Sequence, residues 1–202
     1  MTCDCRAGRA GKVSIRAPQQ LTTARLLLRR PVASDAEGIF ARYSSDPEVT
    51  RYVGWPTHRH VDDTRAFLAF SDDQWDQWPA GPYLMCARGD GALLGSTGLM
   101  FETPHIAMTG YVLAADAWGH GYATEALAAM VDVAWTTGVE RLYALCHAGH
   151  RASAHVLEKC GFGLEQTRRA YAEFPNLRPG RLEDVLCYAR GMEKAGSLGA
   201  KR

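Results

Sequence analysis

Apolar and polar positions alternate along the chain with two periods, and the period marks the elements. "TARLLLRRP" (23–31) puts Leu26 and Leu28 on one face and stops at Pro31, which predicts a first strand. "SDAEGIFARYSSDPEV" predicts a helix capped by Ser34 or Asp35 and carrying Ile39, Phe40 and Tyr43. A longer helix is predicted from a cap at Thr57 to about Trp78. Thr64, Leu68, Ser71, Trp75 and Trp78 form its inner stripe, and Asp62 and Asp63 favour the dipole of its first turns. The pattern then changes. "YLMCARGDGALLGSTGLMF" is two apolar runs joined through Asp90-Gly91, a hairpin signal, and "HIAMTGYVLA" (105–114) is a third run, so an antiparallel meander is predicted.

From residue 121 the period becomes helical. Ala123, Ala126, Leu127, Met130, Val131, Ala134 and Trp135 recur at the spacing of one helix face, and Gly138 ends the pattern. "RLYALCH" (141–147) predicts a strand. "RASAHVLEKCGF" predicts a short helix closed by Gly161. "FGLEQTRRAY" and "DVLCYARG" (184–191) predict two last strands, separated by the turn-rich "FPNLRPGRLE". Strands and helices mixed in this order predict an α+β fold, with helices packed on a mostly antiparallel sheet.

Composition narrows the partners. A chain of 202 residues with 47% hydrophobic residues suits one domain. Lys and Arg (23) nearly balance Asp and Glu (22), so no nucleic acid or anionic membrane is expected as partner. No run approaches the ~20 apolar residues of a membrane span. The first twenty residues have no apolar core of the kind a signal peptide needs, and Asp4 counts against a transit peptide. The expected organisation is a flexible leader at 1–20, a single domain at 21–192 and a flexible tail at 193–202, in a cytoplasmic protein. Cys86, Cys146, Cys160 and Cys187 lie in apolar segments and read as reduced, buried thiols. Cys3 and Cys5 are too few for a closed zinc site. Cys146, His147 and His150 face opposite ways, so no metal is expected there either.

"AADAWGHGYATEAL" (114–127) carries the chemistry. A phosphate-binding P-loop needs a Lys followed by Ser or Thr after the second glycine, and none is present. A dinucleotide-binding turn needs a third small residue where Thr124 stands and an acid near Cys146-His147, and both are missing. A turn without a ligand remains open. So does a lysine-free cradle, in which backbone N–H groups from Gly119 to Thr124 and the positive end of the helix hold a pyrophosphate.

"GYVLAADAWGHGYATEAL" followed by "LEKCGF", with "ARLLLRRP", "DPEVTRY" and "LLGSTGL" before them, resembles the GNAT superfamily of acyl-CoA-dependent N-acyltransferases, in its RimJ/RimL-like branch. The resemblance covers about residues 22–191. It implies a seven-stranded, mostly antiparallel sheet with helices on both faces, splayed between its fourth and fifth strands, here about 107–114 and 141–147. It implies acetyl-CoA as cosubstrate. The pantetheine arm would lie against the backbone of Tyr111, Val112 and Leu113, and the pyrophosphate on Trp118, Gly119, His120, Gly121, Tyr122, Ala123 and Thr124. Trp118 stands where many relatives have Gln or Arg.

The implied reaction is transfer of an acetyl group to a primary amine, on a protein N-terminus or a small molecule, by direct attack. Such transfer needs an unprotonated amine, a polarised thioester and a proton for the departing thiolate. A backbone N–H near Val112 or Leu113 would polarise the carbonyl. Many relatives carry a Glu two residues before the Gly-Tyr pair, but Met108 stands there. Glu102 is then a candidate base, through a water, with His105 behind it, and some amines need no dedicated base. Ser153 matches the motif serine near the sulfur and is the candidate proton donor. His150 replaces the motif's Asn, so it either holds the pantetheine differently or moves protons itself. Glu125, in the first helical turn, reads as structural. Tyr52, Trp55, Trp75, Trp78 and Phe101 read mostly as core, and those between the first two strands are available to an acceptor wall. A monomer or homodimer is expected. Met108 and His150 also sustain an alternative, a catalytically silent CoA-binding module.

Overall fold

A computed structural model describes residues 15–192. The expected leader up to residue 14, the tail from 193, Cys3 and Cys5 lie outside the described residues. The strands are β1 (Gln20–Thr22), β2 (Leu26–Arg29), β3 (Pro82–Ala87), β4 (Leu93–Thr103), β5 (Ile106–Leu113), β6 (Arg141–His147), β7 (Gly163–Glu173) and β8 (Leu182–Gly191). The helices are α1 (Ala36–Ile39), α2 (Val61–Gln77), α3 (Tyr122–Thr136) and α4 (Arg151–Lys159). The sheet order is β1-β2-β3-β4-β5-β6-β8-β7. All neighbours are antiparallel except β5 and β6.

Eight strands stand where seven were expected. The run predicted as a strand at 23–31 opens with a turn, in which the Thr23 N–H and hydroxyl both reach the Leu26 carbonyl, and continues as β2; the extra strand, β1, precedes that turn and folds back on β2. The end of the expected leader is also packed. Arg16 donates to the carbonyls of Trp75 and Asp76, Tyr83 donates to the Pro18 carbonyl, and Ala17 is buried.

The meander is β3–β4–β5, with Asp90-Gly91 at its first turn. Gly91 takes a positive φ, and the Asp90 side chain accepts the Ala92 N–H. On one face of the sheet α3 buries Ala126, Leu127, Met130, Val131, Val133 and Ala134. Burying a side chain the size of Leu127 or Met130 contributes about 1.5–3 kcal/mol. These pack with Leu99, Ala107, Leu113, Leu142 and Ala144 from the strands and Leu157 from α4. On the other face α1, the π-helical turn after it and α2 enclose a smaller core of Ile39, Tyr43, Val49, Leu68, Leu84 and Ala114.

The predicted cap at Thr57 is not the start of α2. The helix begins four residues later because Asp63 accepts the N–H groups of Arg59 (2.8 Å) and His60 (3.1 Å). Thr57 is committed elsewhere, to Asn176. Asp35 precedes α1 as expected, but its carboxylate turns back to Arg29 and the Val32 N–H instead of capping. The four described cysteines are buried and free.

Candidate functional site

The parallel pairing of β5 with β6 lasts only three residues, Ile106–Arg141, Ala107–Leu142 and Met108–Tyr143. Beyond it β5 continues to Leu113 held only by β4, and β6 continues to His147 held only by β8. A gap therefore opens between strands, bordered by backbone edges without a strand partner. Such edges accept an extended polar ligand through main-chain hydrogen bonds.

The strand β5 leads into the glycine turn at the mouth of this gap. Gly119 (φ 78°) and Gly121 (φ 79°) are both in the left-handed region, where an L side chain is strained. Gly121 is the residue before α3, so the unpaired N–H groups of the first helical turn face the turn's concave side. Trp118, 45% exposed, uses its indole N–H to close the turn onto the Leu113 carbonyl (2.9 Å). One of the carbonyls expected to serve pantetheine is thus already engaged.

The turn is anchored from the other end of the chain. Glu125 accepts the backbone N–H of Arg25 (2.7 Å), its guanidinium (2.7 Å) and the Thr23 hydroxyl. The same guanidinium donates to the His120 carbonyl (2.8 Å) and lies over the Tyr122 ring. Burial pushes the Glu125 carboxyl up, but the bonds from Thr23 and Arg25 outweigh it and hold the group below the usual carboxylate range. Sequence reasoning missed Thr23 and Arg25. The available signal was an acid in a first helical turn whose partner had to come from elsewhere in the fold.

Across the gap, the Tyr111 hydroxyl lies 3.0 Å from both the Ser153 hydroxyl and the Ser153 carbonyl. This joins β5 to α4. Burial raises the Tyr111 phenol, so it stays protonated, and Ser153 opposes the shift. Burial also pushes the neighbouring Cys146 thiol up to about 11, again opposed by Ser153. Cys146 is therefore an inert thiol at neutral pH.

His150 precedes α4 without capping it by its ring. Burial, and then the nearby His147, lower its pKa, which keeps the imidazole neutral. It stacks on Tyr52 at 4.7 Å, and Tyr52 also meets His147 at 5.0 Å. His147 takes the Gly149 N–H on Nδ1 and packs edge-on against Phe174.

The structure thus brings together Tyr111, the turn from Trp118 to Thr124, His150 and Ser153, with Val112 and Leu113 along the gap. Glu102 and His105 lie toward the other end of β5. Glu102 sits at the β4 bulge opposite Ile106 and Ala107, roughly 15 Å along the strand from Tyr111 at the usual rise per residue. It accepts the Tyr143 hydroxyl, on the strand face that also carries Met108. His105 faces the Gly138 carbonyl and Glu140. Among the described residues no group of three or more His, Cys, Asp or Glu side chains is placed to hold a metal ion, and no helix is long and apolar enough to cross a membrane.

Comparison with known proteins gives one consistent result. A sequence model of the acetyltransferase (GNAT) domain matches residues 25–163. The chain is similar to p20 of Bacillus licheniformis, described as an uncharacterised N-acetyltransferase, at 27% identity over 85% of this chain and 95% of that protein. It is also similar to the uncharacterised N-acetyltransferase YoaA of Bacillus subtilis, at 29% identity over 75% of this chain and 86% of that one. Among solved structures it shares its fold with a GNAT-family acetyltransferase from Bacillus anthracis (TM-score 0.74, 23% identity, 87% of this chain and 99% of that one). The same holds for the microcin C7 self-immunity acetyltransferase MccE in complex with acetyl-CoA and AMP (TM-score 0.76, 19% identity, 89% and 99%). A third is RimL, the ribosomal L7/L12 alpha-N-protein acetyltransferase, in complex with coenzyme A (TM-score 0.73, 21% identity, 85% and 96%).

Proposed function

Because the chain belongs to the GNAT acetyltransferase family, we propose that it is an acetyl-CoA-dependent N-acetyltransferase of the RimJ/RimL-like branch that acetylates a primary amine by direct attack. The observation that carries this reading is the gap between β5 and β6 ending at a two-glycine turn on the N-terminus of α3. Its edges suit the amides of a pantetheine arm, and its helix end suits a pyrophosphate without a lysine. The complexes of MccE and RimL with acetyl-CoA and coenzyme A support the cosubstrate.

Acetyl-CoA supplies a thioester and a thiolate leaving group. In this reading the backbone of Val112 and Leu113 orients the thioester carbonyl. His150, neutral and beside the gap, takes a proton from the acceptor ammonium so that a nitrogen lone pair is free to attack. As the new C–N bond forms and the C–S bond breaks, Ser153 gives its proton to the sulfur and takes up the second proton that the nitrogen sheds, while Tyr111 steadies the serine oxygen and the proton on His150 passes to solvent. The acceptor is a protein N-terminus or a small-molecule amine, and the protein works in the cytoplasm as a monomer or homodimer. The test is calorimetric titration with acetyl-CoA followed by a CoA-release assay on a panel of amines.

A further inference from the structure

The gap is closed differently on its two faces. On the α3–α4 face Tyr111 reaches across to Ser153. On the opposite face two irregular segments meet. One is 49–57, which leans on the β5 side: Val49 packs with Ala114 and Val112, and Tyr52 covers His147 and His150. The other is the tip between β7 and β8, where Phe174 packs on His147 from the β8 side.

Asn176 joins them. Its Oδ1 accepts the Thr57 N–H (2.7 Å) and the Thr57 hydroxyl (3.0 Å), and its Nδ2 donates to the carbonyls of Thr50 (2.8 Å) and Trp55 (2.8 Å). A side-chain amide has two N–H donors and one oxygen able to accept twice, so all of its capacity is used. The pattern also fixes which way the amide points, since a flip would set N–H against N–H. Thr50 is fully buried and its hydroxyl donates to the Asp46 carbonyl (2.7 Å), so the joint is anchored on rigid backbone. No ion pair takes part, so salt does not weaken it.

We propose that Asn176 is a positioning residue that locks 49–57 and the β7–β8 tip into a water-excluding cover over the reacting end of the gap. The inference rests on the acetyl-CoA reading above. A polarised thioester is open to attack by water as well as by amine, and a closed site suppresses that side reaction. The cover lies where that protection is needed: Tyr52 touches His150, which begins the helix carrying Ser153.

The test uses the full chain loaded with acetyl-CoA and no amine, and follows CoA release by hydrolysis. Asn176→Ala gives hydrolysis about fivefold faster or more, as the loss of several net-favourable hydrogen bonds predicts, while acetyl-CoA affinity by calorimetry stays within about twofold of wild type. Thr57→Val keeps the backbone N–H bond, gives a smaller change in the same direction, and carries the test if Asn176→Ala does not fold. Hydrogen exchange of residues 49–58 shows that the joint has opened. Opened segments with unchanged hydrolysis overturn the inference, as does a loss of affinity matching the change in rate. Failure of the wild-type protein to bind acetyl-CoA refutes the cosubstrate reading itself, and this inference with it.

Discussion

Arg25 and Glu125 are separated by 100 residues in sequence and by 2.7 Å in space, and between them they hold the glycine turn against the first strands. The ion pair is half exposed on the arginine side, so its worth lies less in attraction than in geometry. It fixes the His120 carbonyl, and with it the backbone between the two left-handed glycines.

Glu125→Gln keeps the shape and removes the charge. It should cost about 1–2 kcal/mol, the range for weakening hydrogen bonds to a charged group, and lower acetyl-CoA affinity through a looser turn. Because the Glu125 pKa is depressed, its stabilisation is full above the ordinary glutamate value of about 4.3 and is lost as pH falls through the lower folded-state value. Thermal melts of both proteins should therefore differ at pH 7 and converge in acid. A constant gap down to the lowest pH would show that the charge is not what matters.

Gly121→Glu places a side chain and a negative charge at a φ of 79° in the proposed pyrophosphate cradle. A built Cβ there meets only Arg25, at 3.5 Å, so the fold should survive with about 1–2 kcal/mol of backbone strain. Acetyl-CoA affinity should be lost. Unchanged affinity by calorimetry would remove the cradle from the account.

Ser153→Ala should lower kcat by about 10–100-fold, near the low end of the range for a proton-transfer group, with acetyl-CoA affinity little changed. Tyr111→Phe removes only the support of the serine hydroxyl and should lower kcat less. Equal effects of both changes on affinity would make the pair a strut across the gap and no more.

These residues show what one-dimensional reasoning reaches. Local pattern is enough for α3, because its apolar spacing is regular, and for the β3–β4 hairpin, because Asp90-Gly91 has few other uses. The glycine turn is legible for the same reason. Position β8 between β6 and β7 is not legible, since nothing local tells a strand to insert between earlier ones. Thr57 has the chemistry of a helix cap, and only the approach of Asn176, 119 residues later, diverts it. Arg25 looks like any arginine beside a strand until Glu125 arrives. Polar residues whose partners lie far along the chain are invisible to periodicity.

His150 should shape the acidic limb of the rate profile. Its pKa is lowered, so the neutral base persists below the ordinary imidazole value of about 6.5, and kcat/KM should fall only when pH drops through that lower value. His150→Asn should abolish this limb while preserving acetyl-CoA binding. A limb that survives the substitution would assign it to another group, with Glu102 as the next to test.

The central claim is that this chain moves an acetyl group from coenzyme A to an amine. The direct measurement is amine-dependent CoA release by the wild-type protein over a panel of primary amines that includes peptide N-termini. The account predicts release that rises with at least one amine and saturates, accompanied by an acetylated product. Tight acetyl-CoA binding with no turnover on any amine would contradict it and leave a silent CoA-binding module in its place.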